Sequence, residues 1–266
     1  MPAFVAACAG YESGDWRCDA LARHVINWLP EFALRFSEWN SMNHTDAVAK
    51  VAKAALSVYE SETFSSRGEF GEILLHILLR QHLGTIPAIS KIYFKDSRND
   101  TVKGFDAVHV LDLGDKLELW LGEVKFYKDI NDAIRKVITE LVDHTERNYL
   151  RSEFAAIVNK IDDVWPQAAR LRALIHENRS LDQIFSDLCI PVLLTYDSDV
   201  VNSHNEVTEQ YKEAFEIEVL RHWESFKNKL PLSNLRVHLF LLPLKEKNAL
   251  VTKMDEYLRI AQGLGQ

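Results

Sequence analysis

The sequence predicts an α/β fold whose mixed sheet is flanked by helices. Residues 104–127 have the pattern of two β-strands around a tight turn. A short, continuous apolar run at 190–196 is typical of a strand covered on both faces, and 235–243 has the pattern of another buried strand. Apolar residues at helical spacing fill much of the remaining chain. Helices alternating with buried strands indicate an α/β core.

Composition indicates a globular protein with a full hydrophobic core. The chain has 266 residues, of which 47% are hydrophobic and 26% charged. This length fits one large domain or a core with an appendage, and we divide it into a helical N-terminal region, 1–62, and an α/β domain, 63–266. The net charge is −8, from 31 basic and 39 acidic residues. Since phosphate binding depends on Lys and Arg, any nucleic acid must be met locally or delivered by a partner.

The sequence shows no targeting or membrane segment. The N-terminus lacks a basic stretch followed by a long apolar run, and no run approaches the roughly 18 apolar residues of a membrane span. The three cysteines, Cys8, Cys18 and Cys189, have no CxxC spacing, so we interpret them as reduced thiols. We therefore expect a cytoplasmic protein without membrane association.

The N-terminal region is expected to be helical. Apolar residues at helical spacing predict a helix within 17–39, and Pro30 ends that helix or starts the next. A second helix is predicted from Asp46 to Tyr59, with Asn43 or Thr45 as its N-cap. Nothing in this region suggests chemistry.

A buried helix precedes the strands. Ser65 or Ser66 can cap a helix that continues to about His82, with Gly84 as its C-terminal stop. Its leucine-rich stretch is apolar nearly all round, which predicts burial against the sheet.

Three polar residues lie on one side of that helix: Glu69, Glu72 and His76. A carboxylate on a buried helix needs a partner. It either caps the helix or forms a salt bridge, or it serves as a metal ligand beside the strands that follow.

A strand at 89–95 and a polar loop lead into a predicted hairpin. The pair Gly114-Asp115 is a two-residue hairpin signal, and a turn there places Leu113 opposite Lys116. In the same register Asp106 faces Glu123. Like charges that face each other across a strand pair are destabilising, and a divalent cation between them would resolve the conflict.

Lys125 joins this pair, because the two-residue period of a strand puts it on the face of Glu123. The alternative is that Glu123 and Lys125 face water on an exposed strand while Asp106 caps a turn. That face begins with three leucines: Leu117, Leu119 and Leu121. Charges at the end of a buried face are costly unless paired or metal-bound, which favours a functional cluster.

The remaining helices follow the hairpin. Asp129 or Asn131 caps a helix to about Tyr149, and others cover roughly Ser152 to Glu177, 206–229 and 246–261. Three basic residues near the first of these helices can contact backbone phosphates or form a solvated face: Lys128, Arg135 and Lys136.

The sequences GFD at 104–106 and GEVK at 122–125 resemble the signature of the PD-(D/E)XK nuclease superfamily. The resemblance covers about residues 65–200 and implies a restriction-endonuclease-like αβββαβ core. It assigns the motif aspartate to Asp106, the motif acid to Glu123 and the motif lysine to Lys125. Gly104 and Phe105 stand where the name of the superfamily has proline. Members with a glutamate on the first core helix imply Glu72, or less favourably Glu69, as a further site residue.

At a finer level the chain is similar to the HamA family, on the RGEFGE helix, the GFD…GEVKFY hairpin and the overall length. HamA is the nuclease component of Hachiman anti-phage defence and acts with a helicase called HamB. The resemblance implies a deoxyribonuclease effector whose helicase partner supplies most of the DNA contact. A catalytically idle subunit of the same fold and an RNA-cleaving nuclease are the alternatives.

Phosphodiester hydrolysis gives each of these residues a role. Asp106 and Glu123 would bind Mg²⁺, or Mn²⁺ in its place, and the Val124 carbonyl would add a third oxygen. Glu72 would hold a metal-bound water or a second ion. Lys125 would orient the attacking water and neutralise developing negative charge.

Other chemistry has little support. The sequence contains no GxxxxGK phosphate loop, no GxGxxG fingerprint, no GxSxG elbow and no HExxH motif. The ten histidines are scattered, so we interpret His76 and His109 as packing or hydrogen-bonding residues.

Overall fold

A computed structural model of the protein describes residues 3–58, 68–90, 104–231 and 235–264. In chain order its strands are β1 Ala3–Ala6, β2 Tyr11–Glu12, β3 Asp15–Trp16, β4 Ile86–Ser90, β5 Ala107–Asp112, β6 Leu117–Phe126, β7 Leu188–Asp197 and β8 Arg236–Leu244. Its helices are α1 Cys18–Asn27, α2 Leu29–Ala33, α3 Phe36–Trp39, α4 Ala47–Ser57, α5 Gly68–Leu83, α6 Ile130–His144, α7 Arg147–Lys160, α8 Ala168–Leu174, α9 Leu181–Phe185, α10 Asp199–Ser203, α11 Glu209–Lys229 and α12 Lys247–Gly263.

A six-stranded mixed sheet organises the protein, as predicted for an α/β fold. Its strand order is β1-β8-β7-β6-β5-β4, and β2 and β3 form a separate two-stranded ribbon. Strands β4, β5 and β6 are antiparallel neighbours, whereas β6, β7, β8 and β1 are parallel neighbours. The tight turn after β5 permits antiparallel pairing, while the helical crossovers before β7 and β8 allow parallel pairing.

Helices cover both faces of the sheet. Helices α1, α4, α5 and α12 share one hydrophobic cluster with residues of one face, including Val124 and Phe126 of β6. On the other face, α7 and α8 pack on Leu117, Leu119 and Leu121 of β6, and α6 and α11 pack on β7 and β8. The leucines and the valine of β6 therefore lie on opposite faces, as strand alternation requires.

Residues 3–58 are not purely helical, which corrects the expected helical character of the region 1–62. Strand β1 pairs with β8 in parallel register, with Phe4 beside Leu239. Its four residues are too few to show a strand pattern, so the pairing depends on a segment far along the chain. Helix α2 carries Pro30 in its first turn, in agreement with the prediction that Pro30 starts a helix.

Helix α6 ends earlier than predicted. Asp129 is its N-cap and accepts a 2.8 Å hydrogen bond from the Asp132 backbone N–H. The helix stops at His144 rather than near Tyr149, and Glu146 adopts an extended conformation at the N-cap position of α7.

The predicted helix from Ser152 to Glu177 is also wrong in extent. Helix α7 begins at Arg147, and α8 is a separate helix from Ala168 to Leu174. Pro166 lies between them, and proline lacks the N–H that a helix interior needs.

The strand predicted at 89–95 begins earlier, at Ile86 in β4. Several other predictions concern residues outside the described ranges. They are strand residues 91–95, the polar loop up to residue 103, the helix caps Ser65 and Ser66, the helix end at Tyr59 and the domain boundary at 62. Across the described ranges, no helix combines the length and apolar composition that a membrane span requires.

Candidate functional site

The β5–β6 hairpin has the predicted register. Ala107 pairs with Gly122 and Asp112 with Leu117, and the Leu113 N–H donates a 2.9 Å bond to the Lys116 carbonyl across the turn. Just before β5, the Asp106 N–H donates to the Gly122 carbonyl at 2.8 Å, one residue out of that register. The regular pairing thus ends at Ala107 and Gly122, and Asp106 lies beside Glu123 rather than in a regular pair with it.

Three charged side chains meet at this end of the hairpin. Asp106, Glu123 and Lys125 are all buried, Glu123 with only 1% of its surface exposed. Asp106 Oδ2 accepts a 2.8 Å hydrogen bond from the Val124 N–H, and Lys125 Nζ donates to the Val124 carbonyl at 2.9 Å. We call Asp106, Glu123 and Lys125 the carboxylate cluster.

Helix α6 supplies two partners that the sequence did not reveal. Glu140 forms an ion pair with Lys125 Nζ, and His144 Nδ1 hydrogen-bonds to Glu123 Oε1. The two residues are four apart, so they share one side of α6. That spacing beside an apolar stripe, in a helix that directly follows the hairpin, is the sequence signal that would have identified them.

The electrostatics of the cluster follow from burial and from the neighbouring charges. Burial, reinforced by the nearby Asp106 carboxylate, raises the pKa of Glu123 to about 7, although the hydrogen bond from His144 opposes this. Burial lowers the pKa of Lys125, but Glu140 and the two cluster carboxylates raise it above its usual value overall. Burial also lowers the pKa of His144, but the hydrogen bond and charge of Glu123 raise it by more, so the pKa lies above its usual value.

Gly104 and Glu153 support the start of β5. The Phe105 N–H donates to Glu153 Oε1 at 3.4 Å, and Glu153 is buried on α7. Gly104 has φ +150°, and a Cβ there would lie 3.0 Å from Glu153 Oε1. A residue with a side chain would be strained in this conformation and would press on the carboxylate. The glycine that replaces proline in the motif thus fits the packing of α7.

The other predicted site residues lie at different places. Glu72 is buried on α5, and a Cβ on its neighbour Gly71 would lie 2.7 Å from Val124 Cγ1. Helix α5 therefore packs on the face opposite Glu123 and Lys125. Glu69, one turn earlier, is half-buried. The role of either glutamate stays a prediction.

Two of the three basic residues after the hairpin are exposed to solvent, and the third borders a cavity. Arg135 and Lys136 are exposed on α6, and Arg135 pairs with Asp132 at 2.8 Å. Lys128 borders a polar cavity of about 440 Å³ at the carboxyl end of β7, together with Asp197. These positions are compatible with either prediction, phosphate contact or a solvated face.

The donor set of the carboxylate cluster fits a hard cation. Two facing carboxylates and the adjacent Val124 carbonyl are the oxygen ligands that Mg²⁺ prefers. The raised pKa of Glu123 shows that burial beside Asp106 disfavours its charge, and a cation would remove that conflict. Within the described ranges, no three side chains of Asp, Glu, His or Cys are grouped closely enough to hold a metal ion.

A second polar cluster lies on the opposite face of β5. His109 Nε2 and His76 Nδ1 are 3.2 Å apart, and Thr85 Oγ lies 2.9 Å from His109 Nδ1. Glu31 Oε1 is 3.3 Å from His76 Nε2 and 2.5 Å from Arg80 Nε. We call these five residues the histidine cluster. His76 and His109 thus hydrogen-bond to each other, in line with their interpretation from sequence.

Comparison with known proteins gives two matches. A model of the HamA family matches residues 3–258. The chain is also 24% identical over 260 residues to Anti-bacteriophage protein A from Escherichia coli (strain K12), a match that covers 94% of this chain and 46% of that protein. The chain thus spans about half the length of the curated relative it matches.

Proposed function

Because the chain belongs to the HamA family, we propose that it is a Mg²⁺-dependent deoxyribonuclease that takes part in defence against bacteriophages with a helicase partner. The observation that carries the proposal is the carboxylate cluster. Asp106 and Glu123 are buried beside each other, and Lys125 lies one pleat beyond Glu123 on β6. Buried like charges with perturbed pKa values are typical of sites that bind a cation or perform acid-base chemistry.

The order of the elements supports the PD-(D/E)XK assignment within this proposal. Helix α5 is followed by β4, β5 and β6, then by α6 and, after α7 to α9, by β7. This order agrees with the αβββαβ order that the resemblance implies, and Asp106, Glu123 and Lys125 are the residues that the resemblance assigns to the motif.

The chain's own residues divide the work of hydrolysis. Asp106, Glu123 and the Val124 carbonyl would hold Mg²⁺, or Mn²⁺ in its place. A role for Glu72 in holding a further water or ion follows from the resemblance alone, because α5 packs on the other face of β6. The metal, when bound, supplies a water of lowered pKa and a clamp on the phosphate oxygens. Lys125, whose amine stays protonated, would neutralise the negative charge that develops on the phosphate.

The proposed helicase partner fits the charge of the chain. A net charge of −8 gives little general attraction to DNA, so a partner would supply most of the DNA contact. The defence role is proposed from the family and from the name of the Escherichia coli relative, Anti-bacteriophage protein A. We also place the protein in the cytoplasm, where invading phage DNA and a helicase would both be present.

A cleavage assay tests this proposal. Plasmid and linear DNA are incubated with the purified chain, alone and with the helicase, in Mg²⁺ or in EDTA. We expect Mg²⁺-dependent cleavage that Glu123→Gln abolishes. Glu118→Gln is the matched control, because Glu118 is another buried carboxylate of β6 but pairs with Arg236 at 2.9 Å, away from the cluster. Full cleavage by the Glu123 variant would contradict the proposal.

The same assay separates the two alternatives. An RNA strand of matched sequence, cut faster than DNA, would identify an RNA-cleaving nuclease. A catalytically idle subunit has one observation in its favour, since His144 already engages Glu123. Absence of cleavage and of Mg²⁺ binding, with the helicase present, would support that alternative.

A further inference from the structure

Helix α6 contacts two of the three residues of the carboxylate cluster. Glu140 and His144 lie one turn apart, and they reach Lys125 and Glu123, which lie one pleat apart. The spacing of the helix thus matches the spacing of the strand. We propose that Glu140 and His144 are positioning residues, with His144 fixing the metal-binding carboxylate of Glu123 and Glu140 fixing the amine of Lys125. This inference rests on the proposed nuclease function.

The imidazole of His144 is itself held in place. It stacks on the Tyr149 ring with centroids 4.3 Å apart and an angle of 11°, and the Phe105 ring meets it edge-on at 5.4 Å. Two aromatic contacts restrict rotation of the imidazole, so its Nδ1 donates to Glu123 from a defined direction. Because that bond uses Oε1, the other oxygen of Glu123 is left as the metal ligand.

Glu140 acts on the other residue. Lys125 Nζ lies between the Glu140 carboxylate and the Val124 carbonyl, which accepts its hydrogen bond at 2.9 Å. A lysine has a long flexible side chain, so two acceptors are needed to define where the amine lies. A carbonyl oxygen has two lone pairs, so Val124 can accept from Lys125 and still donate electrons to a metal.

Ion pairs between two exposed side chains contribute little to folding. Glu140 is 38% exposed, but the Lys125 side chain that it contacts is only 10% exposed, so this pair holds a buried amine. Residues that orient ligands, by contrast, commonly change metal affinity or activity 10- to 100-fold when they are replaced.

Substitutions at His144 test its part of the proposal. Mg²⁺ is titrated calorimetrically into the full chain without DNA. We expect His144→Ala to weaken Mg²⁺ binding about 10- to 100-fold. His144→Asn should restore most of the affinity, because its amide nitrogen is two bonds from Cβ, as Nδ1 is. His144→Gln is the matched control, since its amide nitrogen is one bond further away and should not restore binding.

Substitutions at Glu140 should separate metal binding from turnover. Lys125 is not a metal ligand, so Glu140→Ala should leave Mg²⁺ affinity and the KM for DNA unchanged while it lowers kcat about 10- to 100-fold. Glu140→Gln keeps an oxygen for Lys125 and should recover part of the rate. Asp143→Asn, an exposed change of charge on the same helix, should have no effect.

The outcomes distinguish this inference from the function beneath it. If the unaltered protein neither binds Mg²⁺ nor cleaves DNA, with or without the helicase, both the proposed function and this inference are wrong. If the unaltered protein does both and the His144 and Glu140 variants match it, the function stands and the inference is wrong. Equal loss in His144→Asn and His144→Gln would also overturn the role of Nδ1.

Discussion

Two buried polar clusters lie on opposite faces of the sheet near strands β5 and β6, and they differ in how their charges are balanced. The histidine cluster lies on the face covered by α5, and the carboxylate cluster lies on the face covered by α6 and α7. Each ring nitrogen of His109 has a partner, Thr85 on one side and His76 on the other. Burial holds the pKa of His109 well below its usual value, so the ring is neutral. In the carboxylate cluster two acids face each other.

The difference separates a structural polar cluster from a candidate functional site. In the histidine cluster, Glu31 is paired with Arg80, and the buried imidazoles carry no charge, so its hydrogen bonds stabilise the fold. In the carboxylate cluster, burial and Asp106 raise the pKa of Glu123 and thereby oppose folding. A group that is retained against its contribution to stability is a candidate for function.

The largest expected effect is on activity at Glu123. Glu123→Gln should reduce cleavage at least about 100- to 1,000-fold, because it removes a charged group at the centre of the site. The same change removes a like-charge conflict and should not lower the unfolding midpoint. Cleavage rates and thermal melts of one preparation test both statements. A clear loss of stability in this variant would place Glu123 with the structural residues.

The opposite result is expected in the histidine cluster. His109→Ala leaves a cavity and removes the partner of Thr85 and of His76, so it should lower the free energy of unfolding by about 2–4 kcal/mol. Urea unfolding measures this loss. Cleavage per folded molecule should be unchanged, since the ring lies on the other face of β5. A variant as stable as the unaltered protein but slower in cleavage would reverse the assignment of the two clusters.

The carboxylate cluster was predictable because its geometry is local. The Gly114-Asp115 turn sets the register of Ala107–Asp112, and this register brings the preceding residue, Asp106, beside Glu123. The partners of the cluster were not predictable in the same way. His144 and Glu153 reach the hairpin only through the packing of α6 and α7 on the sheet, which a strand pattern does not specify.

The elements of the fold also differ in whether their own segment of sequence predicts them. Strands β5 to β8 and helix α11 follow from apolar patterns within the segment itself. Strand β1 depends on β8, more than 200 residues away. A sequence pattern within one segment does not predict an element that is stabilised by a distant partner.

A substitution at Gly104 should affect both stability and site geometry. Gly104→Ala adds a Cβ 3.0 Å from Glu153 Oε1 in a backbone conformation that favours glycine, with an expected loss of about 1–3 kcal/mol. Because Asp106 is two residues away, cleavage should also decrease. Urea unfolding and cleavage rates measure the two effects. Adding Glu153→Ala should remove the crowding but not the backbone strain, so only partial recovery is expected.

The smallest expected effect is a dependence of stability on pH in the metal-free protein. The pKa of Glu123 is about 7 in the folded chain, raised from an ordinary value of 4.5. Between these values the folded protein holds a proton that the unfolded chain has released, so stability falls as pH rises through this window. His144 adds to the same trend, because its raised pKa gives stability that is present below its ordinary value and lost at higher pH.

One pKa unit corresponds to about 1.4 kcal/mol. Because Glu123 and His144 share one proton in their hydrogen bond, their contributions do not add in full. We therefore expect the free energy of unfolding to fall by about 1–2 kcal/mol from pH 5 to pH 8. Urea unfolding in EDTA measures it, with Glu123→Gln as the reference that lacks the carboxylate. Parallel pH profiles for the two proteins would mean that Glu123 titrates normally and that its burial beside Asp106 is already compensated. Mg²⁺ should cancel the trend, because a cation favours the charged carboxylate at every pH in the window.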